Sequence, residues 1–448
     1  MILSGGVVVS SIDPVHVVSH DVHVVDGRIA REGGGERRDC SGCLVVPGNV
    51  CAHTHLYSAL ARGMPYDLAP PENFLQILQR IWWRLDRALD DEITRASALV
   101  GGMEALLSGT TTLVDHHASP NAVDGSLDVI ADALGSLGVR SILCYETSDR
   151  DGPERAQAGI AENRRFAERV RSEKPALVRA LIGAHASFTL SEETLAASSE
   201  VANGLGIGLH IHAAEDAVDE RDAVGFFGQR VAARLAHAGA LNSRTLLAHG
   251  VHLDDHELSL VHASNAFLAH NARSNMNNAI GRARLDALGR RVALGTDGIG
   301  SDMFEESRTA FFRLHEDGSG AGPDWALDRL AVGADFVGDS FGERRFGKIE
   351  SGAPADLVVL DYAAPAPLDA SSFPGHWVFG LGSRCVRDVM VAGEWVVLDR
   401  RLTRADHQEL AATARAEAAR LWARLEEIPQ HEFEPKGGLR WPSQLTIE

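Results

Sequence analysis

The sequence predicts an α/β fold: a (β/α)8 TIM barrel joined to a small β-sandwich domain that is built from both chain ends. Three observations lead to this prediction. Apolar runs alternate with helical patterns through the middle of the chain, short β-like runs occupy both ends, and nearly every middle run ends in a polar side chain. The expected units are sandwich parts at 1–48 and 348–402, the barrel at 49–347, and a helix with a tail at 403–448.

Eight apolar runs predict the barrel strands. Helical stretches such as 125–138 lie between them, and eight βα units close naturally into a barrel. The runs are 43–55, 110–117, 140–147, 179–187, 206–215, 245–253, 266–275 and 291–298. Because the active sites of such barrels lie at the carboxyl ends of the strands, the polar residues that end these runs indicate one shared site.

The two chain ends have the pattern of β-structure. Runs such as VVVSS and DVHVV alternate with Gly and Asp turns in the first 48 residues, and VAGEWVV predicts two strands joined by a glycine-containing turn. We therefore expect one small β unit built from both ends. A surface helix is predicted at 405–428, followed by an irregular tail.

The composition excludes several functional classes. The chain has 448 residues, with 62 acidic and 43 basic side chains and a formal net charge of -19. Because a nucleic-acid backbone is bound by clustered Lys and Arg, this balance argues against a nucleic-acid partner. No apolar run approaches the roughly 20 residues that span a membrane. Since the first residues also lack the pattern of a secretion signal, a cytoplasmic protein is expected.

The cysteines are too scattered to form a disulfide framework. There are 5 of them, an odd number. Cys40-x-x-Cys43 resembles half of a zinc knuckle, but no second half follows. Reduced thiols in or near a strand are the preferred interpretation.

Histidines at the strand ends predict a metal site. His53 and His55 end the first run two residues apart, so both imidazoles point to the same side of a strand. The other candidates that end later runs are His210, His212, His249 and Asp297. Imidazole and carboxylate together suit zinc, iron or another divalent transition metal. Three His and one Asp with a water molecule would form an open catalytic site.

Some of these assignments have alternatives. His210 and His212 face the same side of one strand and compete for the ion; we choose His212 because Glu215 completes a His-x-x-Glu pattern. His249 could be a buried packing residue and Asp297 a cap of the next turn or helix. Glu215 could be half of a strand-end ion pair.

Five ordered motifs together resemble the amidohydrolase superfamily: PGNVCAHTHLYSALARG, LHIHAAED, LLAHG, HNARSNM and LGTDGIGSD. They are most similar to its branch of atrazine chlorohydrolase, cytosine deaminase and 8-oxoguanine deaminase, over nearly the whole chain. The resemblance implies a set of metal ligands, namely His53, His55, His212 and Asp297. It also implies that Glu215 shuttles protons and that His249 contacts and polarises the hydrolytic water.

The chain departs from this family pattern in two places. Arg273 in HNARSNM replaces a small or polar residue, and IGSDMFEE follows the eighth run instead of an Asn-rich stretch. Relatives with two ions usually bridge them through a lysine on the fourth strand, but the only lysines here are Lys174, Lys348 and Lys436. One divalent ion per chain is therefore expected, with zinc favoured over iron.

The expected activity is hydrolysis of a carbon–nitrogen bond in a small cyclic amidine. A divalent ion lowers the pKa of its water from about 15.7 to about 7. The resulting hydroxide can attack a ring carbon while Glu215 passes a proton to the ring and to the leaving group. The first hypothesis is deamination of an oxygenated purine-, pterin- or pyrimidine-like heterocycle. Hydrolytic ring opening of a cyclic amide is the alternative, and a non-catalytic binding barrel is the third interpretation.

Four residues are candidates for substrate contact. The donors of Arg62 and Arg273 suit a carbonyl or carboxylate, although each could form an ordinary ion pair. Only one of the adjacent His116 and His117 is expected to face the site. Residues that could cover a flat ring are Met64, Tyr66, Phe74, Trp82 and Trp83, with the Trp pair better suited to packing a helix. A homo-oligomer is expected by analogy with the branch alone.

Overall fold

The computed structural model describes residues 1–316 and 318–437, with strands alone in the first 48 residues and alternating strands and helices thereafter. The strands are β1 (Ile2–Ser4), β2 (Val7–Ile12), β3 (Val15–Val18), β4 (Val22–Val25), β5 (Arg28–Ala30), β6 (Arg37–Asp39), β7 (Cys43–Pro47), β8 (Asn49–Thr54), β9 (Thr110–His117), β10 (Arg140–Tyr145), β11 (Val178–Ala180), β12 (Ile182–Ala186), β13 (Leu209–Ala213), β14 (Leu246–His249), β15 (Phe267–His270), β16 (Val292–Leu294), β17 (Leu357–Asp361), β18 (Val386–Val391), β19 (Glu394–Leu398) and β20 (Arg401–Leu402).

The helices alternate with the strands through the middle of the chain, and the last helix lies near the end of the described residues. They are α1 (Phe74–Ile77), α2 (Trp83–Ala88), α3 (Asp91–Leu107), α4 (Ser126–Leu137), α5 (Pro153–Glu173), α6 (Glu192–Leu205), α7 (Ala217–Asp222), α8 (Val231–His237), α9 (Asp255–Ser264), α10 (Ala272–Asn277), α11 (Met303–His315), α12 (Asp324–Phe341), α13 (Phe373–Phe379) and α14 (His407–Glu426). Among the described residues, none of these helices combines the length and the apolar character that crossing a membrane requires.

Local sequence signals set the ends of several helices. The Asp90 side chain accepts a hydrogen bond from the backbone of Ile93 at the start of α3, as expected of an N-cap. Asp254 and Glu257 form a capping box at the start of α9. Helix α4 ends at Gly138, which adopts φ 82°, a left-handed conformation that glycine accepts without steric cost.

The middle of the chain forms two parallel sheets. One has the strand order β11-β10-β9-β8 and the other β12-β13-β14-β15-β16. Their edges are linked at both sides, by parallel bridges between Thr54 and Asp297 and between Thr147 and Ala184. The strands are buried on both faces, as in β9, where all eight residues are buried. This burial is typical of parallel sheets that are covered by helices.

The two chain ends pair with each other. Strands from the first 48 residues and from the segment after residue 348 form a seven-stranded sheet in the order β20-β19-β18-β17-β7-β2-β3. A four-stranded sheet in the order β5-β4-β1-β6 lies beside it, and both sheets contribute side chains to one apolar cluster. That cluster includes Leu3, Val8, Val24, Val45, Leu357 and Met390.

The first and fourth predicted runs are each divided in the structure. Run 43–55 changes sheets between β7 and β8, and a Cβ on Gly48 at this junction would lie 2.3 Å from the Thr111 hydroxyl oxygen. A glycine is therefore needed where the chain passes so close to β9. Run 179–187 is interrupted between β11 and β12. The predicted helices at 125–138 and 405–428 correspond to α4 and α14, while tail residues 438–448 lie outside the described residues.

All five cysteines are buried free thiols. Cys40 and Cys43 lie beside Arg387, whose guanidinium donates to the sulfur of Cys43 at 3.2 Å. Within the described residues, the clusters with metal-binding geometry include neither of these two cysteines. This placement agrees with the preferred interpretation of reduced thiols near a strand.

Candidate metal centre

The carboxyl ends of the parallel strands bring a histidine cluster together. Most of these strands place polar residues near their carboxyl ends, and these residues meet because parallel strands end at the same edge of a sheet. These residues are His53, His55, His116, Glu146, His185, His212, Glu215, His249 and Asp297. The histidines and Glu146 are buried together, and Glu215 and Asp297 beside them are partly buried.

Three groups of ligand atoms among the described residues have metal-binding geometry; two overlap at the predicted ligands, and the third, formed by His116, Cys144 and His210, contains none of them. The first contains His53, His55, His116 and His212, and the second contains His53, His212, His249 and Asp297; within each group all ligand atoms lie within 4.8 Å of one another. Each of these two groups contains three of the four predicted ligands. His55 Nε2 connects the two groups, since it lies 3.0 Å from Asp297 Oδ1.

The hydrogen bonds of these histidines fit a bound cation. His55 Nδ1 donates to the carbonyl of His116 at 2.6 Å, and His212 Nδ1 donates to the carbonyl of His185 at 2.8 Å. In the neutral form, each ring then presents a lone pair at Nε2. These two Nε2 atoms are only 3.1 Å apart, so their lone pairs repel each other unless a cation or a proton lies between them.

Two further nitrogens support the same conclusion. His53 Nε2 and His249 Nε2 are buried and have no hydrogen-bond partner among the described residues. Buried polar atoms without partners cost free energy, and a bound ion is one of the ordinary explanations for them. Three imidazoles and a carboxylate suit zinc or a similar divalent ion. The residues present therefore fit the predicted metal.

Asp297 is held as a charged ligand. Burial opposes its ionisation, but the nearby imidazoles of His53 and His55, together with the charge of His55, lower the pKa of Asp297 well below its usual value. Its other carboxylate oxygen accepts a short hydrogen bond from the Ser274 hydroxyl. Burial lowers the pKa of His53 to about 3, so that this imidazole is neutral and able to bind a metal.

The pKa of His55 is shifted in the opposite direction, upwards. Burial disfavours its charged form, but the hydrogen bond with Asp297 and the negative charges of Asp297 and Glu146 raise the pKa of His55 to about 9. Without an ion, His55 therefore tends to bind a proton, and this proton supplies positive charge beside Asp297 and Glu146. A divalent cation at the same place would replace that proton.

Glu215 and His249 face each other beside this centre. Glu215 Oε2 lies 3.7 Å from His249 Nε2, and His249 Nδ1 donates to Asn275 Oδ1 at 2.8 Å. Burial, and after it the charge of Asp297, raises the pKa of Glu215 well above the usual value. A carboxyl group in such an environment can hold a proton near neutral pH.

Three residues with a strained backbone lie at the same strand ends. Ala214, His249 and Asp297 have φ values of 50°, 74° and 54°, in the left-handed region that residues other than glycine rarely adopt. Each such residue costs about 1–3 kcal/mol and is retained where the surrounding structure fixes it, commonly at functional sites.

His116 and His117 point to different surroundings. The His116 ring lies 4.9 Å from the His212 ring and 5.6 Å from the His55 ring, among the candidate ligands. His117 Nε2 instead lies 2.9 Å from the Ser119 hydroxyl. Both histidines are fully buried, and their contact with a substrate stays a prediction.

The two candidate arginines are both engaged by carboxylates. Arg62 forms two hydrogen bonds with Glu104, at 2.6 and 2.9 Å, near the protein surface. Arg273 binds Glu306 at 2.6 Å, Glu305 at 2.9 Å and the Gly300 carbonyl at 2.7 Å. This geometry favours the ion-pair alternative, and substrate binding by either arginine stays a prediction.

A small cavity at the centre opens towards a larger cleft. The cavity has a volume of about 30 Å³ and is lined by candidate ligands, Glu146, His185, Glu215 and the rings of Phe74, Trp82 and Trp83. The adjacent cleft has a volume of about 650 Å³ and includes Arg62 and Met64. His55, Trp82 and Asn278 line both spaces. Tyr66 lies elsewhere, where its hydroxyl donates to the Ala69 carbonyl.

The structure adds residues that sequence reasoning did not assign. Glu146 and His185 line the inner cavity, with Glu146 Oε1 3.6 Å from His185 Nε2. Ser274 and Asn275 hold Asp297 and His249. The signals were present, since Glu146 and His185 end predicted runs and Ser274 and Asn275 belong to the HNARSNM motif. Their partners only became visible with the tertiary structure.

Comparisons with known proteins agree with this site. A profile of the Amidohydrolase family matches residues 44–396. The 5'-deoxyadenosine deaminase of Methanopyrus kandleri is 30% identical over 375 residues, covering 82% of this chain and 84% of that protein. The 5-methylthioadenosine/S-adenosylhomocysteine deaminase of Haloarcula marismortui is 33% identical over 417 residues, covering 90% of this chain and 92% of that protein.

A solved structure is similar over nearly its whole length. It is an adenosine deaminase from Xanthomonas campestris with bound zinc, which superposes with a TM-score of 0.83 at 26% sequence identity. The alignment covers 94% of this chain and 98% of that one. The family resemblance read from the five motifs is thereby confirmed.

Proposed function

The chain belongs to the amidohydrolase family, and on that premise we propose that it deaminates an aminopurine ring by hydrolysis. It is a metal-dependent hydrolase that acts on carbon–nitrogen bonds. The observation that carries the proposal is the convergence of the histidine–aspartate cluster with Glu215, which faces His249 at 3.7 Å beside an open cleft.

The metal would be held by His53, His55, His212 and Asp297. A divalent ion there would supply an activated water as nucleophile at neutral pH. Zinc is favoured because the ligands are imidazole and carboxylate and because the similar adenosine deaminase structure contains zinc. The absence of a lysine from the carboxyl ends of the described parallel strands favours one ion per chain.

The side chains of His249 and Glu215 would carry out the remaining steps of the reaction. His249, held through Nδ1 by Asn275, would orient the water at its free Nε2. Glu215 would take one proton from that water and deliver it to the ring nitrogen, and would then pass the second proton, from the hydroxyl group added to the ring carbon, to the leaving amine. Proton transfer by a positioned carboxylate contributes typically about 10²–10⁴-fold in rate. Phe74 and Trp83 would keep bulk water away from the inner cavity.

An aminopurine suits both the relatives and the cavity. The relatives' names describe deaminases of adenosine derivatives. The inner cavity of about 30 Å³ is large enough for a water molecule but not for a bicyclic ring. The ring would therefore enter from the cleft, past Trp82 and Asn278, and leave a ribose-like substituent in the larger space. Arg62, His116, His117 and Arg273 remain candidates for contact with such a substrate.

The test is turnover by zinc-loaded enzyme, followed by ammonia release and ultraviolet absorbance. The panel comprises adenosine, 5'-deoxyadenosine, methylthioadenosine, guanine, 8-oxoguanine, isoxanthopterin and cytosine. We expect ammonia from at least one aminopurine, with Glu215→Gln as the inactive, metal-containing control. Turnover of an oxopurine alone would restore the oxygenated-heterocycle hypothesis. Inert aminopurines and oxopurines, together with ammonia-free opening of a cyclic amide, would replace deamination by ring opening.

We also propose that the two parallel sheets form one closed (β/α)8 barrel, because bridges link them at both edges. The two terminal sheets would form a β-sandwich around their shared apolar cluster. The proposed unit boundaries remain 1–48, 49–347, 348–402 and 403–448. Limited proteolysis that released residues 1–48 from an intact 348–402 segment would contradict the shared terminal unit.

A further inference from the structure

His210 lies on the side of His53 that faces away from the predicted ion. The sequence leaves His210 and His212 in competition for the metal, and the structure separates them. His212 Nε2 points towards His55, whereas His210 Nε2 lies 2.9 Å from His53 Nδ1. Both His53 and His210 are fully buried, so water does not compete for this contact.

The candidate ligands differ in what fixes their ring protons. His55 and His212 donate from Nδ1 to backbone carbonyls, which can only accept. His53 faces an imidazole instead, and an imidazole nitrogen can either donate or accept. If His210 donated to His53, the neutral His53 ring would carry its proton on Nε2 and could not bind a metal there. If His210 accepts, the lone pair of His53 is on Nε2, towards the centre.

The hydrogen bonds beyond His210 select the second arrangement. His210 Nδ1 lies 3.6 Å from the sulfur of Cys144, and the Cys144 thiol donates to the Asp115 carbonyl, also at 3.6 Å. A thiol that donates to a carbonyl leaves sulfur lone pairs for the Nδ1–H of His210. The chain of donors then runs from His53 to His210, Cys144 and finally Asp115, with a carbonyl acceptor at its end.

We infer that His210 is a positioning residue whose Nε2 accepts the Nδ1 proton of His53 and thereby keeps His53 Nε2 free to bind the metal. This inference rests on the proposed metal centre and adds the residue that fixes the tautomer of one ligand. Groups that orient a metal-binding histidine in this way typically change metal affinity by about 10–100-fold when they are removed.

The test compares two amide substitutions of His210. In His210→Gln the side-chain oxygen reaches the position of Nε2 and can accept from His53. In His210→Asn the oxygen reaches only the position of Nδ1, beside Cys144. Zinc affinity is measured by competition with a chromophoric chelator, and the unfolding midpoint of each metal-free protein is measured in parallel. These readouts do not require a substrate.

We expect His210→Gln to bind zinc within about threefold of wild type and His210→Asn to bind it about 10–100-fold more weakly. Both metal-free variants should be folded at the temperature of the titration, with the midpoint of His210→Asn slightly lower because Asn lacks one methylene group at this buried position. Equal zinc affinities for the two variants would overturn the role of His210 while leaving the proposed function standing. A wild-type protein that binds no divalent ion would overturn both.

Discussion

The two ends of strand β10 carry buried charged residues in opposite states. At its amino end, Arg140 forms two hydrogen bonds with Asp356, at 2.8 and 2.9 Å. At its carboxyl end, Glu146 Oε2 is buried and has no hydrogen-bond partner among the described residues. That oxygen faces two imidazoles, with His116 Nδ1 at 3.5 Å and His55 Nδ1 at 3.8 Å, while the other carboxylate oxygen lies 3.6 Å from an Arg150 guanidinium nitrogen.

The amino end has the features of a structural contact. Asp356 also accepts from the backbone of Ala392 at 2.7 Å, and Arg140 lies 5.0 Å above the centre of the Phe341 ring. This contact joins β10 to the terminal sheet. The carboxyl end instead has unsatisfied histidine nitrogens and perturbed pKa values, and left-handed backbone residues lie at the ends of other parallel strands. Features that cost free energy in this way are retained where a bound ligand offsets the cost. We therefore interpret the amino end of β10 as a stabilising contact and its carboxyl end as part of a ligand-binding site.

The largest effect should follow removal of the metal. His212→Ala deletes one ligand, and elemental analysis should fall from one zinc ion per chain to almost none. Activity should fall by more than about 10⁴-fold, because the nucleophilic water is no longer activated. His237→Ala, an exposed histidine of α8, is the control and should keep both metal and activity. Two tightly held ions per wild-type chain, both required, would contradict the single-ion expectation.

Glu215→Gln should separate metal binding from proton transfer. The amide keeps the shape of the side chain but cannot carry the proton, so kcat should fall by about 10²–10⁴-fold. The zinc content should stay at the wild-type level, measured on the same preparations. Normal turnover by this variant would assign the proton transfer to another group.

Arg140→Met should affect stability without affecting chemistry. The substitution leaves the buried Asp356 carboxylate without its partner, so the free energy of unfolding should fall by about 3–5 kcal/mol. Chemical denaturation measures this loss, and the folded variant should keep kcat/KM within about twofold. A large loss of kcat/KM in folded protein would show that the amino end of β10 is coupled to the catalytic centre.

Arg62→Ala should have the smallest effect. The Arg62 side chain is 63% exposed and pairs with Glu104, and exposed pairs contribute about 0–1 kcal/mol. We expect an unfolding free energy within about 1 kcal/mol of wild type and an unchanged KM. A KM raised about tenfold with kcat preserved would instead support the substrate contact predicted from the sequence.

The sequence determined the features that follow from local periodicity and motif order. Alternating runs indicated the parallel strands and the paired chain ends, because side chains alternate with period two and helices with period 3.6. His53 and His55 could be assigned to one face for the same reason. The motifs identified the family, since five of them occur in order over nearly the whole chain.

Only the tertiary structure decided which polar atoms meet. Sequence spacing could not separate His210 from His212, because both lie on one face of β13, and only their neighbours on other strands distinguish them. For Arg273 the sequence left a substrate contact and an ion pair open as alternatives, and only the structure showed that Glu305 and Glu306 bind it. Hydrogen-bond partners come from distant segments, and their positions depend on how the whole chain packs.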